Sequence, residues 1–127
     1  MHKSRLAGFI IDCQTEDLEG AGRFWSQALG YPLKQSAAAE DAVYALLDTP
    51  KDDLHIEVQK VDHPSRVHLD IEADDIDAEV SRLEKLGARR IKQVHSWVVM
   101  EAPTGQRFCV VRVQRSDFET KANTWND

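Results

Sequence analysis

The sequence predicts an α+β fold of two tandem β-α-β-β-β modules, and three observations carry that prediction. The same order of strand-like and helix-like segments runs twice along the chain. A Leu-Gly pair closes the helix-like segment in each half, at Leu29-Gly30 and at Leu86-Gly87, and prolines stand in matching places at Pro50 and Pro103. Two copies of this length are too long and too few for a solenoid, so a paired-module domain is the better fit for 127 residues. The modules run from about residue 5 to 62 and from about 66 to 114, inside one domain spanning 1–114.

The stretch Leu6 to Cys13 is β-branched and aromatic enough for a buried strand. Glu16 and Asp17 then open a helix whose apolar residues Leu18, Ala21, Phe24, Trp25, Ala28 and Leu29 recur at three- and four-residue spacing. Gly30 ends it, and Pro32 follows where a helix cannot continue. Strand-like pieces follow around Pro32 to Gln35, Ala42 to Leu47 and Leu54 to Val61. In the second half Val67 to Ala73 alternates as a strand, and Asp74 or Asp75 caps a helix striped by Ile76, Val80, Leu83 and Leu86. Three strands then span Arg90 to Val94, Trp97 to Met100 and Arg107 to Val113, with the turn Ala102-Pro103-Thr104-Gly105 between the last two. Residues 115–127 are polar and read as a mobile C-terminal tail; the alternative docks Phe118 or Trp125 on the body or on a partner subunit.

Composition excludes some partners. The chain has 22 acidic and 16 basic residues, a net charge of −6, and no dense basic block. Phosphate surfaces need clustered Lys or Arg, so neither nucleic acid nor an anionic membrane is an expected partner. No apolar run approaches the roughly 20 residues of a membrane helix, and the charged N-terminus is not followed by a signal-peptide pattern. The expectation is a cytoplasmic protein with Cys13 and Cys109 as reduced, buried thiols; a disulfide between them is the alternative.

Three motifs resemble the vicinal-oxygen-chelate superfamily, which includes glyoxalase I, extradiol dioxygenases and bleomycin-resistance binding proteins. They are the helix ending Phe24-Trp25 … Ala28-Leu29-Gly30-Tyr31, the run His68-Leu69-Asp70 leading to Asp75 and a helix ending Leu83 … Leu86-Gly87-Ala88, and Ala102-Pro103-Thr104-Gly105 … Phe108-Cys109-Val110. The His-Leu-Asp and Phe-Cys-Val pieces look like the glyoxalase-like domain subgroup. The resemblance covers about Leu6 to Val113 and implies an open, curved, cleft-bearing sheet, a small-molecule ligand and a homodimer.

Metal enzymes of that superfamily place ligands on the first and last strands of each module, and the metal polarises a pair of substrate oxygens. The resemblance puts the second module's histidine ligand on His68, seven residues before Asp75. The first module's counterpart falls on Gly8 or Ile10, neither of which can bind a metal. The carboxylate position on the first module's last strand falls near Gln59, with Glu57 and His55 on the same face, and the final-strand position falls on Cys109. With His68 as the one clean match, the expectation is a pocket without a cofactor. The alternative is a divalent metal: zinc held by His68 and Cys109 with help from Glu57, or nickel, iron or manganese.

His68 and Asp70 share one face of their strand, as do Glu72 and, on the first strand, Asp12. A histidine beside a carboxylate can act as a general base, which makes His68 and Asp70 the candidate catalytic pair. The plainer alternative pairs Asp70 with Arg66 or Arg112. Tyr44 and Trp97 are candidates for an aromatic pocket rim, with core packing as the alternative for both; Phe24 and Trp25 are assigned to the core. The candidate pocket therefore comprises Asp12, Tyr44, Glu57, Gln59, Trp97 and Cys109 around His68 and Asp70. The expected function is a metal-independent small-molecule pocket protein, either a binding module or an enzyme of unassigned reaction. The alternatives are a metal-dependent lyase or isomerase of the glyoxalase I type, and an assembly or regulatory domain whose strand edges bind protein.

Overall fold

Asp17 starts the first helix by a local bond: its carboxylate accepts the Gly20 N–H at 2.9 Å. In the structure, a computed structural model that describes residues 1–34 and 43–126, helix α1 spans Leu18–Leu29 and ends on Gly30, whose φ of 80° is left-handed. It follows strand β1, His2–Gln14, and precedes β2 (Leu33–Lys34), β3 (Tyr44–Leu47) and β4 (His55–Val61). Gln35 and Ala42, expected strand bounds, lie outside the described residues. The chain divides into two compact units, Phe9–Val67 and Met1–Gly8 with His68–Asp127.

In the first of these units β2, β3 and β4 pair antiparallel in sequence order. Ile11, Leu47, Ile56 and Val58 form its buried core, with Leu18, Ala21 and Trp25 of α1 packed against it. Leu18, Ala21, Gly22 and Trp25 stand at i, i+3, i+4 and i+7, which fixes the inward stripe. Phe24, assigned to the core from sequence, lies off that stripe: it is 60% exposed and meets Trp25 edge-on at 5.0 Å between ring centroids.

The second unit holds β5 (Arg66–Ala73, starting just before the unit boundary), α2 (Ile76–Lys85), β6 (Arg89–Val94), β7 (Trp97–Glu101) and β8 (Arg107–Arg112). The strand order is β5-β8-β7-β6, with β5 and β8 parallel and the other pairs antiparallel. Of the two candidate caps it is Asp75 that accepts the Ala78 N–H, at 3.0 Å. Ala73, Val80, Leu83, Val98, Met100 and Val110 form a buried core between α2 and one face of the sheet. A fully buried side chain of this kind contributes roughly 1.5–3 kcal/mol. Leu86, expected in the stripe, is 65% exposed because the helix has already ended at Lys85. Gly87, at φ 104°, turns the chain back, and a Cβ there would stand 3.2 Å from Pro103 Cγ, so two of the repeated sequence markers touch.

The polar C-terminal segment is ordered structure and not a tail. Helix α3 (Phe118–Lys121) and strand β9 (Asn123–Trp125) follow β8, and β9 pairs antiparallel with β1, opposing His2 to Trp125 and Ser4 to Asn123. The first eight residues thereby group with the unit formed by the second half, which begins again at His68. Phe118 is buried, and Arg5 lies over its ring.

Buried charge holds the segment down. Glu79 on α2 accepts from Ser4 Oγ and contacts His2 Nε2, each at 2.8 Å, while Arg82 donates to both of its oxygens. The Trp125 indole N–H donates to Ser4 Oγ at 2.8 Å, and the Arg82 guanidinium stacks on the Trp125 ring at 3.8 Å. Nearby, Glu72 on β5 receives Arg5 at 2.6 Å and the backbone N–H groups of Gln114 and Arg115 at 2.7 and 3.0 Å. Charged neighbours outweigh burial at such sites when every lone pair finds a donor. Among the described residues no helix is long and apolar enough to cross a membrane.

Burial pushes the Glu79 carboxyl up, but the bonds from Arg82, His2 and Ser4 outweigh it and hold the group below its ordinary value. A depressed folded value means that Glu79 stabilises the fold above the unfolded-chain pKa of about 4.3 and that this contribution is lost as pH falls through the lower folded value. Glu79→Gln is expected to cost about 3 kcal/mol at pH 7 and to narrow the stability difference between pH 7 and pH 3, as measured by urea unfolding. In the same assay Trp125→Ala is expected to cost about 2 kcal/mol; a variant as stable as the parent would mean that the segment is not docked.

Candidate functional site

Alternation along β5 separates two faces. Ile71 and Ala73 join the core beneath α2, so His68, Asp70 and Glu72 point to the other side of the sheet. On β8, Phe108 and Val110 belong to the same core, which turns Cys109 to the side of His68 and Asp70. The parallel register then sets Asp70 directly opposite Cys109, and the antiparallel register of β7 sets Val99 opposite Cys109 on its other flank.

The result is a compact donor group. One ligand atom each of His68, Asp70 and Cys109 lies within 4.8 Å of the others, and among the described residues this is the one group of three such donors that converges. His68 Nε2 stands 3.7 Å from Asp70 Oδ1, a charge contact longer than a hydrogen bond. Asp70 is 6% exposed and Cys109 8%, and His68 is half-buried. The imidazole nitrogen, carboxylate and thiol suit a borderline-soft divalent ion, which accepts all three donor types. The residues present therefore fit such an ion, although Cys109 stands where the resemblance implies a carboxylate.

The remaining candidates distribute unevenly. Asp12 is buried and its carboxylate lies 3.8 Å from Arg66, so Arg66 serves Asp12. Tyr44 and Gln59 are cross-strand partners on β3 and β4, both half-buried. Glu57 pairs with His55 Nε2 at 3.1 Å. Ile56 and Val58 fill the core under α1, so His55, Glu57 and Gln59 all lie on the opposite face of β4. Trp97 is half-buried on the Val99 side of β7 and meets His95 at 5.3 Å between ring centroids. Cys13 is half-buried, not fully buried as expected, and both cysteines are free thiols. Burial pushes the Cys13 thiol up.

Residues 8–111 match the sequence profile of the Glyoxalase-like domain. The chain belongs to the glyoxalase-like domain family, and its fold is that of the vicinal-oxygen-chelate superfamily. Among solved structures, methylmalonyl-CoA epimerase from Mycobacterium tuberculosis superposes with a TM-score of 0.63 at 17% identity, over 86% of this chain and 87% of that one. A methylmalonyl-CoA epimerase in complex with methylmalonyl-CoA and NH4+ gives 0.58 at 14% identity, over 90% and 99%. A hypothetical protein from Bacillus halodurans C-125 gives 0.60 at 14% identity, over 89% and 98%. At these identities the likeness is one of fold. No curated protein matches the sequence.

The two thiols differ in accessibility, which a labelling experiment can read. An aromatic disulfide reagent is expected to modify Cys13 at least about tenfold faster than Cys109 in the native protein, because reaction requires an accessible thiolate. Denaturation is expected to release two thiols per chain, and a single reactive thiol that survives Cys13→Ser would contradict the burial of Cys109.

Proposed function

We propose that this chain is a small-molecule enzyme whose reaction centre is the face formed by His68, Asp70 and Cys109, and that it acts on a compound bearing a carbonyl oxygen. The observation that carries this reading is the convergence of the three side chains on one face of β5 and β8. An imidazole, a carboxylate and a thiol brought together at low exposure are disposed to interact with a polar ligand atom more than to fill a core.

Two chemistries suit such a centre. His68 beside Asp70 is an acid–base pair of the kind that moves protons near neutral pH. With Cys109 added, the same residues could hold a divalent ion, which would supply Lewis-acid polarisation of a substrate oxygen. The acid–base pair accepts the proton from the carbon next to a carbonyl, whereas Lewis-acid polarisation would make that proton more acidic. The superposed epimerases, one of them carrying methylmalonyl-CoA, make coenzyme A thioesters the first substrate class to try. Trp97, in the same unit, remains a candidate for ligand contacts, and a homodimer is the assembly the superfamily resemblance favours.

Proton exchange at the α-carbon is the direct test. Thioesters, 2-oxo acids and α-hydroxycarbonyl compounds are incubated with the protein in deuterated buffer and followed by proton NMR. At least one class is expected to lose its α-proton signal faster than in buffer alone, and His68→Gln is expected to slow that loss by about a hundredfold or more. Exchange at the buffer rate across the panel, or exchange indifferent to His68→Gln, contradicts the proposal.

A further inference from the structure

Resting on the same reaction centre, the geometry points to a specific occupant: we propose that His68, Asp70 and Cys109 bind a thiophilic divalent ion, zinc foremost, through one nitrogen, one oxygen and one sulfur. The superfamily resemblance implies ligands from both modules, carboxylates among them. This chain departs from that pattern. Its donors all come from two paired strands of a single unit, β5 and β8, and one of them is a thiol.

Three features argue for an ion and for its class. The ligand atoms already lie within 4.8 Å of one another, so little chain movement is needed to close on a common centre. They ride on adjacent strands whose register fixes Asp70 against Cys109, and donors on sheet strands hold their positions better than donors on loops. Sulfur then sets the selectivity. A thiolate suits zinc and cobalt, whereas magnesium and calcium require all-oxygen surroundings and do not compete at a site with one carboxylate. Three protein ligands are also the usual complement of a zinc site that keeps one position open for water or substrate.

Asp70 and Cys109 are buried, and the His68 side chain is only slightly more exposed. The other cysteine is not part of a convergent donor group among the described residues: Cys13 is half-buried and packs against the core of the other unit. The pair His55–Glu57 offers two donors but no third converges with it among the described residues. Zinc uptake is therefore expected to depend on Cys109 and not on Cys13.

Cobalt(II) and zinc report on this directly. The purified protein is stripped with a chelator, checked for native circular dichroism, and titrated with cobalt chloride under reducing conditions. A near-ultraviolet thiolate-to-cobalt charge-transfer band that saturates at one ion per chain, and that one equivalent of zinc displaces, is the expected result. Cys109→Ser is expected to abolish the band and lower zinc affinity by at least tenfold; His68→Ala and Asp70→Asn are expected to lower it comparably, and Cys13→Ser to leave both unchanged. A folded protein that gives no band and retains no zinc overturns the proposal, as does a band that survives Cys109→Ser or disappears with Cys13→Ser. The α-proton assay separates this inference from the reading beneath it. No zinc with His68-dependent exchange overturns the metal site alone. Zinc on the three donors without exchange supports the site while counting against the proposed reaction.

Discussion

The parallel pairing of β5 with β8 is the constraint on which the proposed chemistry of this domain depends. It sets Asp70 opposite Cys109, and the two-residue period of the strand brings His68 to the same face. A register shift of one residue would turn Cys109 into the core beneath α2 and replace it on the polar face with Phe108 or Val110. That shift is opposed by the core itself, because Ile71, Ala73, Phe108 and Val110 must all meet Val80 and Leu83 on the helix side. Apolar packing on one face thus secures donor geometry on the other.

The same strand carries a second polar duty further along. Glu72 follows Asp70 on the polar face, but its carboxylate is spoken for by Arg5 and by the backbone of Gln114 and Arg115. Position on β5 therefore sorts three acid–base side chains into two roles. His68 and Asp70 belong with Cys109 to the proposed reaction centre, while Glu72 fastens the start of the C-terminal segment. Glu79 does the corresponding work from α2, through His2, Ser4 and Arg82. Charge is used in this unit to brace the core, and His68, Asp70 and Cys109 on the β5–β8 face are the residues of the proposed centre.

Much of the fold was legible in the sequence because it is written in local signals. The helix stops at Gly30 and Gly87, the cap at Asp75 and the alternation of Val67 to Ala73 all depend on residues within a few positions of one another. What failed was non-local. The segment after Gln114 is polar by composition, and its docking depends on Ser4, Glu79 and Arg82, which are distant in the chain. Phe24 was misplaced because one apolar helix face looks much like its neighbour until the opposing strands are known. The site was half legible. His68 and Cys109 were found as positions in a motif, but the motif gives no register between β5 and β8. Asp70 consequently read as the catalytic partner of His68, with an arginine pairing as the alternative, and not as a third donor beside Cys109.

The central claim is that these two strands build one three-donor centre. X-ray absorption at the zinc edge of the zinc-loaded domain tests it most directly, read together with the same spectrum of Cys109→Ser. The account predicts a zinc ion bonded to one sulfur and to nitrogen and oxygen donors, with the sulfur lost in the variant. A zinc environment of nitrogen and oxygen alone in the parent protein, or a sulfur contribution unchanged by Cys109→Ser, would contradict it.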